Sequence, residues 1–234
     1  MKAFTMNRTS LIQRIARVTA TGTLAALTAC GLADAADRTY DLPSPTVDAP
    51  LSQAKGNQTL VVAGGCFWGV EAVFAHVKGV ISATSGYSGG DASTASYDTV
   101  STGRTGHAEA VKIVYDPSQV TVGQLLKVFF SVAHDPTLLN RQGPDHGTQY
   151  RSAVFYQGDE QKRVVEAYID QLQHTKIYSG PIVTQVAPLT AFYAAEDYHQ
   201  NYLSLHPNQP YIVINDLPKL SALKAKFPSM YRSS

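Results

Sequence analysis

The stretch Gly64-Gly65-Cys66-Phe67-Trp68-Gly69-Val70-Glu71 limits what this chain can fold into more than any other. The apolar run Leu60-Val61-Val62-Ala63 before it reads as a buried strand. After it, Val70, Val73, Phe74 and Val77 recur at helical spacing. The order is therefore strand, glycine turn, cysteine, helix, which places Cys66 at or near the first turn of a helix. Unpaired backbone N–H groups and the positive end of the helix dipole favour an anion there. The thiol is expected to ionise more easily than a free one. A buried structural cysteine is the competing reading, because free cysteines are often simply buried. A thiol set between a double glycine and two flat aromatic side chains reads more as a pocket floor.

Further elements alternate along the chain. Val80–Tyr87 reads as a strand closed by the turn Ser88-Gly89-Gly90-Asp91, and Ala110–Tyr115 as another, ended by Asp116-Pro117. Thr121 is placed to cap a helix running to Val132, with Gln124 as its capping-box partner. A long loop from His134 to Thr148 precedes a strand over Tyr150–Tyr156. A helix over Asp159–His174, a strand over Ile182–Val186, a helix over Ala195–Leu205 and a terminal helix over Leu217–Phe227 complete the chain. The pattern predicts an α/β fold: a two-layer α+β sandwich of a mixed β-sheet with packed helices. No G-x-G-x-x-G follows a strand, which argues against a dinucleotide-binding fold, and no C-x-x-C supports a thioredoxin one.

Residues 1–36 read as a leader. Lys2, Arg8, Arg14 and Arg17 precede the modestly apolar Val18–Leu32, which is too short and too polar to span a membrane well. Ala33-Asp34-Ala35 offers one cleavage site. Leu27-Thr28-Ala29-Cys30 resembles a lipobox and offers another, leaving a lipidated Cys30. The expectation is an exported, periplasmic protein, touching the membrane only if it is lipidated at Cys30. Either processing leaves Cys66 as the one free thiol, with no internal disulfide. Residues 37–58, with Pro43, Pro45 and Pro50, read as an exposed extended linker, and residues 59–234 as one domain. A net charge of +1 and the lack of any basic run after Arg17 argue against nucleic-acid binding.

Other side chains suit chemistry. Glu109 opens a strand after a glycine-rich turn, where burial can keep a carboxyl protonated, although an ordinary surface glutamate is the simpler reading. Tyr97 and Tyr150 can offer phenol donors, or can merely be half-buried with their hydroxyls in water. Asp145-His146 lies in a glycine-bounded loop, where an aspartate also serves as a plain turn residue. The seven histidines lack close ligand spacing, so no metal is expected. His76 and His174 read as helix-surface residues.

Several blocks resemble the A-type peptide methionine sulfoxide reductases. They are Gly65–Glu71; Gly86-Tyr87-Ser88-Gly89-Gly90 followed by Tyr97; Gly103–Val111; Arg141–Ser152; and Ala195–Gln200. They fall in order between about Leu60 and Leu205. The resemblance implies that Cys66 attacks the sulfoxide sulfur and that Glu109 protonates the sulfoxide oxygen. It implies that Tyr97 and Tyr150 hydrogen-bond that oxygen, that Phe67 and Trp68 hold the S-methyl group, and that Asp145 orders the site. It further implies S-epimer specificity, substrates that are oxidised proteins or peptides containing methionine sulfoxide, a monomer, and no bound cofactor. The chemistry asks for the same set: a protonated acid for a poor leaving group, a thiolate opposite it, and an apolar recess. One departure is plain. Family members often carry resolving cysteines near the C-terminus, whereas Pro210–Lys219 contains none. An external thiol reductant such as thioredoxin must then recycle Cys66. A thiol peroxidase, a non-catalytic binder of oxidised methionine, and a cysteine hydrolase pairing Cys66 with His107 are the alternatives.

Overall fold

The computed structural model describes residues 39–53 and 56–233. The expected leader, with Cys30, lies outside the described residues. The described chain forms a six-stranded sheet in the order β7-β6-β1-β3-β2-β8. Its strands are β1 (Gln58–Gly64), β2 (Val80–Ser88), β3 (Ala108–Tyr115), β6 (Ser152–Tyr156), β7 (Gln185–Pro188) and β8 (Tyr193–Ala194). Only β6 and β7 run parallel, so the sheet is mixed, as the sequence pattern indicated. A two-residue ladder, β4 (Arg141–Gln142) with β5 (Asp145–His146), forms a separate hairpin.

The period of two along each strand explains the layers. Leu60 and Val62 of β1 and Val111 and Ile113 of β3 face a core completed by helices. Helix α1 (Phe67–Ala75) adds Val70, Val73 and Phe74, and α3 (Val122–Val128) adds Leu125 and Leu126. Helix α4 (Gly158–Thr175) sends in Val164, Val165, Tyr168 and Leu172, one apolar stripe on an otherwise polar helix. The opposite sheet face carries Val61, Ala63, Ala108, Ala110, Ala153 and Phe155, covered by Leu189 and Phe192. Strand β1 is therefore buried on both faces, which is why it reads as a continuous apolar run.

Helix α3 begins with the expected capping box, Thr121 accepting from the Gln124 N–H and the Gln124 side chain accepting from the Thr121 N–H. Its continuation over Phe129–Ala133 widens into a π-helical turn, and His134 leaves it fully extended.

Four expectations need correction. Residues 39–53 are no exposed linker but a strap across α3 and α4. Leu42 is 3% exposed, Tyr168 donates its hydroxyl to the Pro43 carbonyl at 2.9 Å, and Asp48 accepts from Thr121 Oγ1 and the Gly123 N–H. The expected helix over Ala195–Leu205 is instead a 3₁₀ turn (Asp197–His199), a left-handed Asn201 at φ 54° and a short helix α5 (Tyr202–Leu205). Glu196 and Gln200 are spent on tertiary hydrogen bonds to Tyr87, Tyr97 and Ser85 that a regular helix would turn away. The expected strand over Ile182–Val186 forms later, where β7 pairs with β6. His76 is buried rather than on the surface, because residues 230–232 fold over it and the Arg232 N–H donates to its carbonyl at 2.9 Å. The terminal helix α6 (Leu217–Lys226) packs back on α1 through Leu223, as expected.

Candidate active site

One glycine sets the approach to Cys66. Gly65 has φ +90°, a left-handed conformation, and a Cβ there would meet the Gln142 side chain at 2.5 Å. The turn therefore swings directly from β1 into α1, with Cys66 as N-cap. The floor beneath is fixed by a reciprocal pair, in which Gln142 Nε2 donates to the Asp135 carbonyl at 2.7 Å and the Asp135 N–H donates back at 3.1 Å.

Cys66 is 7% exposed and lines a narrow open cleft with Gln142, Gly143, Asp145, Tyr211, Asn215 and Lys219. Its ionisation runs against the sequence expectation. Burial pushes the thiol well above its ordinary value, and the carboxyls of Glu109 and Asp216 add to the effect. The Trp68 backbone amide and Lys219 pull the other way, but Cys66 makes no side-chain capping bond to the helix. Desolvation outweighs the helix terminus here, and the resting residue is a thiol.

Glu109 is 3% exposed, which settles against the surface reading. Its Oε2 accepts the Phe67 N–H, the first orphan donor of α1, at 3.1 Å. Burial, opposed by that hydrogen bond and reinforced by Asp145 and Asp216, pushes its pKa up to about 8. At neutral pH Glu109 is a carboxylic acid whose other oxygen is left to hold the proton.

The remaining expected residues converge on the pair. The Tyr150 phenol is raised by burial first and then by Glu109, Asp145, Cys66 and Tyr97 in turn, so these groups share one site. Tyr150 sits in a 3₁₀ turn (Thr148–Tyr150) rather than in β6. Tyr97 opens the short helix α2 (Tyr97–Val100) and is anchored by its N–H on Glu196 at 2.9 Å. Asp145, on β5, accepts a hydrogen bond from the Tyr211 hydroxyl. Trp68 is half-buried, donates its indole N–H to His199 Nδ1 at 3.1 Å, and stacks on Tyr202 with centroids 3.8 Å apart. Phe67 is buried against Tyr87 and His199. Neither aromatic lines the cleft directly at Cys66; Tyr211 joins the two regions, lining the cleft while standing edge-on to Trp68 at 5.8 Å.

No histidine is placed to serve Cys66 as a base. His107 accepts from the Gly90 N–H at Nδ1, and its Nε2 lies 3.0 Å from the Asp91 carbonyl. His134 lines the cleft, but it is bound to Ser152 Oγ at 2.7 Å, and burial lowers its pKa to about 3. Among the described residues no group of three His, Cys, Asp or Glu side chains could hold a metal ion. Sequence reasoning missed Tyr211, Asn215, Asp216 and Lys219. Their segment was informative only for its lack of cysteine, and no local pattern marks it as a site wall.

A buried thiol beside a neutral carboxylic acid, framed by phenols and aromatic rings, defines a cysteine-dependent oxidoreductase more readily than a hydrolase. Residues 58–230 match the peptide methionine sulfoxide reductase family, and the chain belongs to that family. The chain is similar to peptide methionine sulfoxide reductase MsrA 2 of Mesorhizobium japonicum, 60% identical over 178 residues that cover 76% of this chain and 91% of the relative. It is 52% identical to the Synechocystis protein of the same name, covering 80% and 88% of the two chains. Among solved structures, methionine sulfoxide reductase A of Corynebacterium diphtheriae superposes with a TM-score of 0.58 at 36% identity, covering 74% of this chain and 90% of that one. Reduced Mxr1 from Saccharomyces cerevisiae gives 0.61 at 32%, covering 70% and 92%.

Proposed function

We propose that this protein reduces methionine sulfoxide, free or within oxidised proteins, to methionine, and so repairs oxidised proteins. The observation that carries the residue roles is the Glu109 carboxyl, buried, protonated at neutral pH and fixed on the Phe67 N–H beside Cys66. Glu109 donates its proton to the sulfoxide oxygen, making that oxygen a leaving group. Cys66 Sγ attacks the sulfoxide sulfur, and its thiol proton is available to restore the carboxyl. The S–O bond breaks as water leaves, and water then attacks Cys66 Sγ, breaking the new S–S bond with its electron pair returning to the substrate sulfur, so methionine and a Cys66 sulfenic acid are the products. Tyr97 and Tyr150 steady the oxygen, Trp68 with Phe67 receives the methyl group, and Asp145 orders the cleft. The family resemblance implies that the substrate is the S epimer at sulfur.

No cofactor is needed. Two equivalents of an external thiol, such as a thioredoxin-like reductant, return Cys66 to the thiol, releasing water and a disulfide. The tail from Ile212 to Ser234 contains no cysteine to take the place of that thiol. Without reductant, each chain should release one methionine and leave a dimedone-reactive Cys66. Cys66→Ser should abolish turnover with native circular dichroism. More than one methionine per chain, or a variant that still turns over, would defeat the reading. A peroxidase reading predicts faster turnover with peroxide than with a methionine sulfoxide ester, a direct competition assay.

The leader supports export to the periplasm, the protein being either released or anchored through a lipidated Cys30. The intact mass of the protein recovered from the cell envelope separates a start at Ala36 from a lipidated start at Cys30. A mass retaining Met1 would sink export.

A further inference from the structure

The tail segment brings an ion pair to Cys66 that the proposed chemistry leaves unused. Asp216 ends the π-helical turn Ile212–Asp216 and is wholly buried, at 0% exposure. One carboxylate oxygen takes Lys219 Nζ at 3.1 Å. The other has no hydrogen-bond partner among the described residues. Lys219, 9% exposed, lines the cleft with Cys66. The pair is seated on the first turn of α1, since a Cβ on Gly69 would fall 2.1 Å from Asp216 Oδ1 and 2.9 Å from Lys219 Nζ.

Stability is a weak reason to keep such a pair. Replacing a buried ion pair by apolar side chains is often neutral or stabilising, and an orphaned buried oxygen adds to the cost. The pair's position relative to the nucleophile supplies a better reason. We propose that Asp216 and Lys219 are positioning residues set against the nucleophile through the first turn of α1, Asp216 placing a negative charge behind Cys66 and Lys219 holding that carboxylate in place while facing the cleft. This rests on Cys66 being the nucleophile. The other groups facing Cys66 are Glu109 from β3, Asp145 from β5, Tyr97 from α2, Tyr150 from its 3₁₀ turn, Tyr211 from the tail, and His134 and Asp135 from the segment after the π-helical turn. All but the Asp216–Lys219 pair belong to the oxygen-binding side of the site or to its hydrogen-bonded wall.

The arrangement fits a chain with no cysteine in its tail. A thiolate attacks hydrogen peroxide, expelling hydroxide and becoming a sulfenic acid. The ionised sulfenic acid attacks a second peroxide, and water leaves as a sulfinate forms, which thiols do not reverse. With no neighbouring thiol to trap the sulfenic acid, a suppressed resting thiolate limits this loss.

The test is the pH dependence of Cys66 alkylation by iodoacetamide, read from the mass of the Cys66 peptide in the full chain. It is followed into alkaline pH, where Asp216 is ionised. Asp216→Asn should move the midpoint down by about one unit, so that alkylation at alkaline pH below the wild-type midpoint runs about tenfold faster. Lys219→Met should move it up, and Lys219→Arg should match wild type. Under hydrogen peroxide without substrate, Asp216→Asn should accumulate Cys66 sulfinate faster. Natively folded Asp216→Asn and Lys219→Met with unmoved midpoints, or with midpoints shifted in one common direction, would overturn the proposal. If Asp216→Asn does not fold, Lys219→Met decides by its opposite sign. Alkylation reads the thiol and not turnover, so a wrong assignment of the nucleophile would show in Cys66→Ser activity instead.

Discussion

Two regions meet at Cys66, and they reach it by different physics. The first, Gly64–Glu71 with Glu109, is set by short-range rules: a left-handed glycine, a helix N-terminus, and a carboxyl on its first free N–H. The second, Tyr211–Lys219, arrives from the far end of the chain and holds its place through tertiary contacts on Asp145, Trp68 and Gly69. The first supplies the reacting groups. The second supplies the walls and the electrostatic setting. Local rules can therefore present a nucleophile, while its ionisation is decided by whatever packs over it.

The largest expected effect lies in the first region. Glu109→Gln removes the acid but keeps the side-chain shape, and should slow single-turnover sulfenic acid formation by roughly 10²–10⁴-fold. A matching rate in that variant would show that the proton comes from elsewhere. In wild type the acid form is lost as pH rises through about 8, so the reductive step should fall above that pH. Stability carries the same sign. The folded pKa lies above the unfolded value of 4.5, so the folded state holds a proton that the unfolded chain releases. That contribution is fully present below about pH 4.5 and is lost as pH rises toward about 8. Urea unfolding across this window should show a shallower decline for Glu109→Gln than for wild type.

A smaller effect tests the seam between the regions. On an exposed helix, Gly→Ala would stabilise by about 1 kcal/mol. At Gly69 the new Cβ would strike the buried Asp216 and Lys219, and such overpacking typically costs about 1–3 kcal/mol. The clash should win, with Gly69→Ala lowering the urea midpoint. A more stable variant would mean that the tail yields at no cost and is not a fixed wall. The smallest effect belongs to the second region alone. Tyr211→Phe keeps the ring against Trp68 but removes the hydroxyl from Asp145, which is half-buried and can take water instead, and should cost only about 0.5–1 kcal/mol in stability. Its effect on single-turnover rate should fall well short of that of Glu109→Gln. A larger loss than for Glu109→Gln would move the tail from wall to reacting group.

The sequence by itself determined the framework on which the chemistry stands. The apolar run of β1, the glycine turn, the stripe on α4 and the Thr121 capping box are all local patterns, and local patterns fix local structure. The family blocks likewise marked Cys66, Glu109, Tyr97, Tyr150 and Asp145, which the fold brings together. Tertiary structure decided what no local pattern encodes. The proline-bearing segment 39–53 reads as a linker until Leu42 finds the core and Asp48 finds the start of α3. Residues 195–205 have helical composition, yet Glu196 and Gln200 bond across to Tyr87, Tyr97 and Ser85 and the helix is lost. The charge on Cys66 is the sharpest case. Its place at a helix N-terminus favours a thiolate, but desolvation and two carboxyls, one carried in from 150 residues along the chain, reverse the sign. Desolvation depends on everything that packs around a group, so it belongs to the folded molecule and not to any stretch of its sequence.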